Sequence, residues 1–318
     1  MEKITGPTSA ELSRLLPDSL RDIENPKSDI PRIAKTSELT AQIESVLNRV
    51  PSTHLVCEGD ARNMLSLEAE SVDLVLTSPP YWNLKEYPDG SAQLGNVSDY
   101  EEFLTNLDEI WHKCFDALTP GGRLICVVGD VCLSRRKNGG RHKVVPLHAS
   151  IQEHCRGIGY DNLAPIIWHK IANATYEAGG PARFLGKPYE PNAVVKNDIE
   201  YILMERKPGG YRKPSLSARV LSVIPKDKHR EWFQQIWTGL PGCSTKDHPA
   251  PFPVDLAERL IRMFSFVGDT VLDPFMGTGT TNVAAAEGGR NSSGKELEPG
   301  YCDYTEKRLK DLASRLFA

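Results

Sequence analysis

Short apolar runs alternate with longer amphipathic runs along the chain, a pattern typical of an α/β protein. Seven apolar runs of strand length begin near residues 54, 72, 123, 163, 199, 270 and 291. Apolar residues at every third or fourth position predict helices at 9–16, 37–49, 61–67, 99–118, 146–158, 254–264, 282–287 and 299–316. In the helix at 99–118 the aromatic side chains fall on the apolar face, so we assign them to the core.

Composition and charge place the chain among ordinary globular proteins. Its 318 residues, 40% hydrophobic and 25% charged, suffice for one large α/β domain with insertions or for two domains. No apolar run approaches the roughly 18 residues of a spanning helix, and residues 1–7 lack the apolar core of a secretory signal. The seven cysteines form no Cys-x-x-Cys pair, so we expect no metal site, and their odd number favours a reducing cytoplasmic location. A net charge of −4 means that nucleic-acid binding would need local basic patches.

A glycine-rich turn, Asp273-Pro-Phe-Met-Gly-Thr-Gly-Thr-Thr281, joins the strand at 270 to the helix at 282–287. Gly277 and Gly279 lack Cβ atoms, so the backbone can take positive φ and approach a ligand at the start of a helix. No lysine follows Gly279, which excludes a P-loop, and Asn282 leaves the dinucleotide fingerprint incomplete. Glu296 ends the next strand, where a ribose-binding acid is expected. The turn therefore favours a nucleoside cofactor without a pyrophosphate; the alternative is a surface turn with an unrelated glutamate.

A second turn, Ser78-Pro-Pro-Tyr81, ends the apolar strand that begins at 72. Its two prolines fix two φ angles and remove two N–H donors, which leaves a stiff turn rich in carbonyl acceptors. Tyr81 and Trp82 add flat surfaces beside these acceptors. The turn suits the exocyclic NH2 of a flat base, whereas its simpler interpretation is a Pro-Pro turn that closes a strand.

Together, Thr77-Ser-Pro-Pro-Tyr81 and the later Asp273-Pro-Phe-Met-Gly-Thr-Gly279 resemble the motifs of the DNA amino-methyltransferases that use S-adenosyl-L-methionine. The order of the two motifs resembles the circularly permuted beta class, and the resemblance covers about residues 54–312. It implies a Rossmann-like S-adenosylmethionine-dependent methyltransferase fold of class α/β. Its seven-stranded sheet would be mostly parallel, with the strand at 199 antiparallel and an inserted target-recognition region.

The resemblance also implies roles for particular residues. Ser78 at the first position of the tetrapeptide resembles the cytosine-N4 enzymes, since adenine-N6 enzymes more often carry Asp or Asn there. The implied catalytic residues are Ser78, Pro79, Pro80 and Tyr81, with Ser78 and the Pro79 carbonyl holding the amine and Tyr81 stacking on a flipped-out base. The implied cofactor-binding residues are Asp60, Phe252, Pro253, Asp273, Phe275, Met276, Gly277, Thr278, Gly279, Thr280, Thr281 and Glu296. For Asp60 a solvated loop position remains the alternative.

Contact with double-stranded DNA is expected from basic and aromatic residues near the carboxyl ends of the strands. The candidates are Trp82, Arg135, Arg136, Lys137, Arg141, Arg183 and Lys187. Arg135 to Arg141 lie in a basic loop at 134–143, for which a solvated loop is the alternative. We divide the chain into an N-terminal helical arm (1–50), a catalytic half (51–170), a target-recognition region (171–236) and a cofactor-binding half (237–318). The target-recognition region contains the strand at 199–206 and a run rich in basic residues from Lys207 to Arg230.

Several alternatives stay open at this point. The leading interpretation is a site-specific methyltransferase acting on cytosine N4 in double-stranded DNA. The same chemistry on adenine N6 or on RNA is the second interpretation, and a non-catalytic nucleic-acid-binding module of the same fold is the third. The arm could pack on the core, contact DNA or stay mobile. Whether a cognate restriction endonuclease acts on the same site, and whether the protein forms a homodimer, also stays open.

Overall fold

The computed structural model describes residues 4–64, 67–82, 93–133, 138–170, 197–242 and 252–316. Eight strands form the main sheet, and two more form a hairpin. In chain order the strands are β1 (His54–Glu58), β2 (Val72–Thr77), β3 (Leu118–Val128), β4 (Val131–Leu133), β5 (Lys143–Val145), β6 (Asp161–His169), β7 (Ile199–Arg206), β8 (Ile236–Trp237), β9 (Thr270–Asp273) and β10 (Asn291–Glu296).

The main sheet has the order β1-β10-β9-β2-β3-β7-β6-β8. Its pairs are parallel except for those of β7, which runs antiparallel between β3 and β6 as predicted. The late strands β9 and β10 lie between the early strands β1 and β2. The permuted order along the chain therefore still brings the carboxyl ends of β2 and β9 to one edge of the sheet.

Ten α-helices accompany these strands in the described ranges. They are α1 (Ser9–Leu15), α2 (Pro26–Ala34), α3 (Ser37–Leu47), α4 (Tyr100–Ala117), α5 (Leu147–Ile158), α6 (Leu216–Leu221), α7 (Lys226–Trp232), α8 (Val254–Phe264), α9 (Thr280–Glu287) and α10 (Pro299–Leu316). The helix predicted at 61–67 is a single 3₁₀ turn over Ala61–Asn63. The Thr36 side chain makes no capping bond at α3, whereas Thr8 and Glu11 form a capping box at α1.

Two apolar layers sandwich the sheet, one on each face. Alternate residues of a strand point to opposite faces. On β3, Leu124, Cys126 and Val128 pack with α4 and α5, while Ile125 and Val127 pack with α8 and α9. The aromatic residues Phe103 and Trp111 of α4 are fully buried in the first layer, which confirms their assignment to the core. None of the helices in the described ranges is both long and apolar enough to cross a membrane.

The N-terminal arm packs on the body of the protein. Leu12, Ile33 and Ile43 of α1–α3 form one apolar cluster with α6 and with Val267, just before β9. An ion pair adds to this contact, since the guanidinium of Arg262 donates to the Glu44 carboxylate at 2.7 Å. Of the three possibilities left open for this segment, packing on the core is therefore the one observed.

Candidate active site at the carboxyl edge of the sheet

The two sequence motifs meet at the carboxyl ends of β2 and β9. Val75 pairs with Leu272, so Thr77 and Asp273 end neighbouring strands. The Thr77 Oγ1 hydroxyl donates to Asp273 Oδ1 at 2.7 Å, and Thr281 Oγ1 donates to Asp273 Oδ2 at 2.6 Å. One buried carboxylate therefore joins the proline turn to the glycine-rich turn.

The environment of Asp273 is apolar apart from these donors. Its side chain is 1% exposed and also accepts a hydrogen bond from the Phe275 backbone N–H at 3.0 Å. Burial raises the pKa of Asp273 to about 6, and the hydrogen bonds from Thr281 and Thr77 oppose that rise. The carboxylate is a structural bridge beneath the site and is not exposed to a ligand.

The glycine-rich turn has the predicted backbone conformation, with φ of 52° at Gly277 and 75° at Gly279. Gly279 caps the start of α9, and a Cβ atom there would lie 2.2 Å from Thr305 Cγ2 of α10. The absent side chain of Gly279 thus makes room for α10, whereas the sequence had suggested that it makes room for a ligand. The Arg308 guanidinium holds the same turn by donating to the Thr278 carbonyl at 2.5 Å.

Glu296 lies at the end of β10 beside this turn. Its carboxylate accepts the Gly277 N–H at 2.8 Å and the Glu298 N–H at 2.9 Å. Burial raises the pKa of Glu296 above its ordinary value, against the effect of these backbone donors. The side chain is therefore held by backbone amides at the wall of a cleft, where its oxygens can accept further donors.

Asp60 follows β1 on the other side of β10. It accepts hydrogen bonds from the backbone and guanidinium of Arg62, the shortest from Nη2 at 2.6 Å. Burial disfavours ionisation of Asp60, but the Arg62 hydrogen bonds outweigh it and lower the pKa of the carboxyl. Asp60 is thus a fixed anion at the cleft, which removes the solvated-loop alternative.

A cleft opens between these elements, and the space between its lining residues, open solvent included, is about 680 Å³. Of the predicted site residues, five line it: Asp60, Ser78, Pro80, Phe275 and Glu296. Asp273, Thr280 and Thr281 lie buried beneath it, and Phe252 and Pro253 lie at the start of α8 without lining it. Apolar residues and the carboxylates of Asp60 and Glu296 both line the cleft, which fits a nucleoside because its flat base needs apolar contact and its hydroxyls need acceptors.

Several cleft residues were missed by the sequence analysis. They are Gly59, Ala61, Gln93, Leu94, Pro274, Lys295, Leu297, Glu298 and Tyr301. Four of them, Lys295, Leu297, Glu298 and Tyr301, lie close to Glu296 in the chain. Their closeness to that predicted site residue could have identified them from the sequence. Gln93 carried no such signal, yet its amide donates to the Glu298 carboxylate at 3.0 Å and so closes one side of the cleft.

The proline turn places Ser78 and Tyr81 together at the cleft. Ser78 Oγ lies 3.5 Å from the Tyr81 hydroxyl, which also lies 3.4 Å from the Val127 carbonyl of β3. The Tyr81 ring extends over the end of β3, because a Cβ atom on Gly129 would lie only 3.2 Å from its Cε2. Ser78 therefore stands between the nucleoside cleft and an aromatic surface.

Trp82 differs from its predicted role as a DNA-contacting surface. Its ring packs edge-on against Tyr100 of α4, with centroids 5.1 Å apart, and its indole nitrogen is buried. The indole belongs to the apolar layer under α4. We therefore withdraw Trp82 from the DNA contacts.

The predicted DNA-binding residues are only partly described. Arg141 is exposed in the connection between β4 and β5, at the carboxyl edge of the sheet. Arg135, Arg136, Lys137, Arg183 and Lys187 lie outside the described residues, as does most of the connection from β6 to β7 at 171–196.

The basic run from Lys207 to Arg230 begins at the edge of the sheet opposite this site. Because β7 is antiparallel, Arg206 pairs with Arg123 at the opposite edge of the sheet, and the run begins there. Arg212 forms ion pairs with Asp73 at 2.8 Å and with Asp269 at 2.5 Å. Arg212 is therefore neutralised by these two acids, and the assignment of 171–236 to target recognition stays a prediction.

Comparison with known proteins identifies relatives over most of the chain. The family model for DNA methylases matches residues 72–307. The type II methyltransferase M.MjaI of Methanocaldococcus jannaschii is 36% identical over 291 residues, which cover 82% of this chain and 92% of that protein.

Two solved structures are similar as well. A Thermus thermophilus protein described as a DNA modification methylase, solved with S-adenosyl-L-methionine, has a TM-score of 0.66 at 50% identity and covers 82% of this chain and 96% of its own. The PvuII DNA methyltransferase, which is cytosine-N4-specific, has a TM-score of 0.57 at 20% identity and covers 84% and 93%, a likeness in fold alone.

Proposed function

Because this chain belongs to the DNA methylase family, we propose that it transfers a methyl group from S-adenosyl-L-methionine to the N4 amine of cytosine in double-stranded DNA. The observation that carries the proposal is the position of Ser78, which lines the cleft and lies 3.5 Å from the Tyr81 hydroxyl. The methyl donor would thus bind on one side of Ser78 and the target base on the other.

The cleft residues fit S-adenosyl-L-methionine. Glu296 would accept the ribose hydroxyls, Asp60 would face the adenine, and the turn at 275–279 would border the methionine end. When bound, the cofactor supplies an activated methyl group on a sulfonium. The contribution of the protein is to hold donor and acceptor in line and to exclude water.

Ser78 and the Pro79 carbonyl would act on the target amine itself. The lone pair of an exocyclic amine is delocalised into the ring, which makes the nitrogen a poor nucleophile. Two acceptors aimed at the NH2 hydrogens favour a more pyramidal nitrogen and stabilise the positive charge that develops on it. Tyr81 would stack on the base, and the proline turn keeps these groups rigid.

The base must leave the duplex to reach this site, at a cost of a few kcal/mol. The exposed Arg141 in the β4–β5 connection is suited to a phosphate contact that offsets part of this cost. Cytosine is favoured over adenine by Ser78, since a serine at this position resembles the cytosine-N4 enzymes.

Nucleoside mass spectrometry tests the proposal directly. Unmethylated DNA is incubated with the protein and S-adenosyl-L-methionine, digested and analysed for both methylated bases. N4-methylcytosine is the expected product. N6-methyladenine would keep the family chemistry and refute the cytosine assignment, and cofactor binding without any methylated base would redirect the search to RNA.

Variants of the proline turn test the residue roles. We expect Ser78→Ala to lower turnover about a hundredfold through loss of one acceptor, and Tyr81→Ala to lower it further. Tyr81→Phe is the matched control, because it keeps the ring and removes the hydroxyl, whose contacts with Ser78 and Val127 are long at 3.5 and 3.4 Å. Full turnover by both alanine variants, with an intact cofactor-dependent thermal shift, would show that the site is misassigned.

A further inference from the structure

A lysine–glutamate pair stands at the carboxyl edge of the sheet beside Tyr81. Lys170 follows the end of β6, and Glu200 is the second residue of β7. Because Trp168 pairs with Glu200 across these antiparallel strands, both side chains lie at the same edge as the proline turn. The Lys170 ammonium donates to Glu200 Oε1 at 2.6 Å.

Glu200 approaches Tyr81 over a glycine. A Cβ atom on Gly129 would lie 3.2 Å from Tyr81 Cε2 and 3.4 Å from Glu200 Cγ, so both side chains converge above that residue. Gly129 follows β3 directly, and a larger residue there would push the two side chains apart. The pair therefore borders the space in front of Tyr81, where the target base is proposed to lie.

The ammonium of Lys170 is fixed as well as paired. It lies 5.4 Å from the centroid of the Trp168 ring, and the indole of Trp168 donates to the Leu240 carbonyl at 3.1 Å. The stem of Lys170 passes close to Gly242, where a Cβ atom would lie 2.9 Å from its Cε. The side chains of Lys170 and Glu200 are 28% and 11% exposed.

An ion pair that is largely shielded from water adds little stability, since desolvation offsets much of the attraction. The position of the Lys170–Glu200 pair beside Tyr81 suits it to contact a bound base. An ammonium offers three donors and no acceptor, and Glu200 occupies one of them. A further donor can therefore serve an acceptor on a ligand.

Resting on the proposed function, we propose that Lys170 selects cytosine by donating a hydrogen bond to its O2 atom, with Glu200 as the positioning residue. Cytosine carries an acceptor at O2 on the same edge as its N4 amine. Adenine has a C–H group at the corresponding place, so it would leave the ammonium without an acceptor. A site built to donate to the correct base discriminates strongly against a base that lacks the acceptor.

A two-by-two comparison tests this contact. Wild type and Lys170→Met are assayed on duplexes that carry a sequence the wild type methylates. The target base is cytosine or 2-thiocytosine, because sulfur is a weaker acceptor than oxygen. Any effect of sulfur on the amine itself is common to both proteins and cancels in the comparison. We expect the thio substitution to slow the wild type and to have no further effect on Lys170→Met.

On unmodified cytosine, Lys170→Met should be at least about tenfold slower than the wild type. The rate of Lys170→Arg should lie between those of the wild type and Lys170→Met. Lys310→Met is the matched control, since that lysine is exposed on α10 and pairs only locally with Glu306. The cofactor-dependent thermal shift verifies that each variant is folded.

The outcomes separate this inference from the function on which it rests. A wild type that methylates adenine instead of cytosine refutes both. If the wild type methylates cytosine but the sulfur and methionine substitutions slow the reaction independently, the O2 contact is refuted and the function stands. Unchanged rates in Lys170→Met refute the contact as well.

Discussion

The hydroxyl of Thr77 joins the two halves of the site, and Thr77→Val removes it with little change in shape. The variant deletes the 2.7 Å hydrogen bond to the buried carboxyl of Asp273, while Thr281 and the Phe275 N–H remain. A hydrogen bond to a charged group contributes about 1.5–3 kcal/mol, and one to a neutral group about 0.5–1.5 kcal/mol. The cost of the substitution should therefore depend on the protonation of Asp273.

The direction of that pH dependence follows from the raised pKa. Asp273 has a pKa of about 6 in the folded protein against an ordinary value of 3.8, so its protonated form is favoured by folding. Its contribution to stability is complete below about pH 3.8 and is lost as the pH rises through 6. Because Thr77 lowers this pKa, its removal extends the loss to higher pH. We expect Thr77→Val to cost about 1 kcal/mol at pH 5 and about 2–3 kcal/mol at pH 8.

Urea unfolding followed by tryptophan fluorescence at pH 5 and pH 8 measures both costs. Thr40→Val is the matched control, because the Thr40 hydroxyl is buried and donates at 3.0 Å to the neutral Ser37 carbonyl. Its cost should be the same at both pH values. An equal cost of Thr77→Val at both pH values would mean that Asp273 does not titrate in the folded protein as its surroundings imply.

Two further substitutions test buried positions, one in the glycine-rich turn and one at the opposite edge of the sheet. Gly279→Ala should destabilise the protein by about 2–3 kcal/mol and weaken cofactor binding, since its Cβ would lie 2.2 Å from Thr305 Cγ2 at a φ of 75°. Partial rescue by Thr305→Ala, measured by thermal shift with and without S-adenosyl-L-methionine, would verify the clash, and no rescue would contradict it. Burial raises the pKa of Glu205 to about 7, so stability present below pH 4.5 is lost as the pH rises through 7. Glu205→Gln should therefore raise the free energy of unfolding at pH 8 by up to about 3 kcal/mol and leave it unchanged at pH 4.5. Equal urea midpoints of the variant and the wild type at pH 8 would contradict this.

Local patterns predicted most strands because each is an apolar run bounded by turn residues. β1, β2, β7, β9 and β10 begin at the predicted residues. β3 begins at Leu118, before the predicted start at 123, because pairing with β2 carries the strand through Pro120 and two glycines that signal a helix end. β8 was not predicted, since two residues carry no periodicity.

The parts of the site that consist of one short motif were predictable from the sequence. The parts that depend on contacts between distant segments were not. The turns at 78–81 and 273–279 were identified from residue types alone. That Thr77 bonds to Asp273, or that Gly279 faces α10, depends on packing between distant segments. The ion pairs of Arg212, in the basic run after β7, were not predictable for the same reason, because its partners Asp73 and Asp269 are far away in the chain.

The pairing of Arg212 with acids of the same chain bears on how this acidic protein binds DNA, because a paired arginine is less available to phosphates. Among the described residues of the basic run, Arg212 is neutralised by Asp73 and Asp269 at the far edge of the sheet. Arg141 and His142 in the β4–β5 connection, and Lys143 at the start of β5, are exposed groups at the edge that carries Ser78. Phosphate contacts supply most non-specific affinity for DNA. We expect contacts to the flipped base, Lys170 among them, to add the recognition that phosphate contacts do not supply.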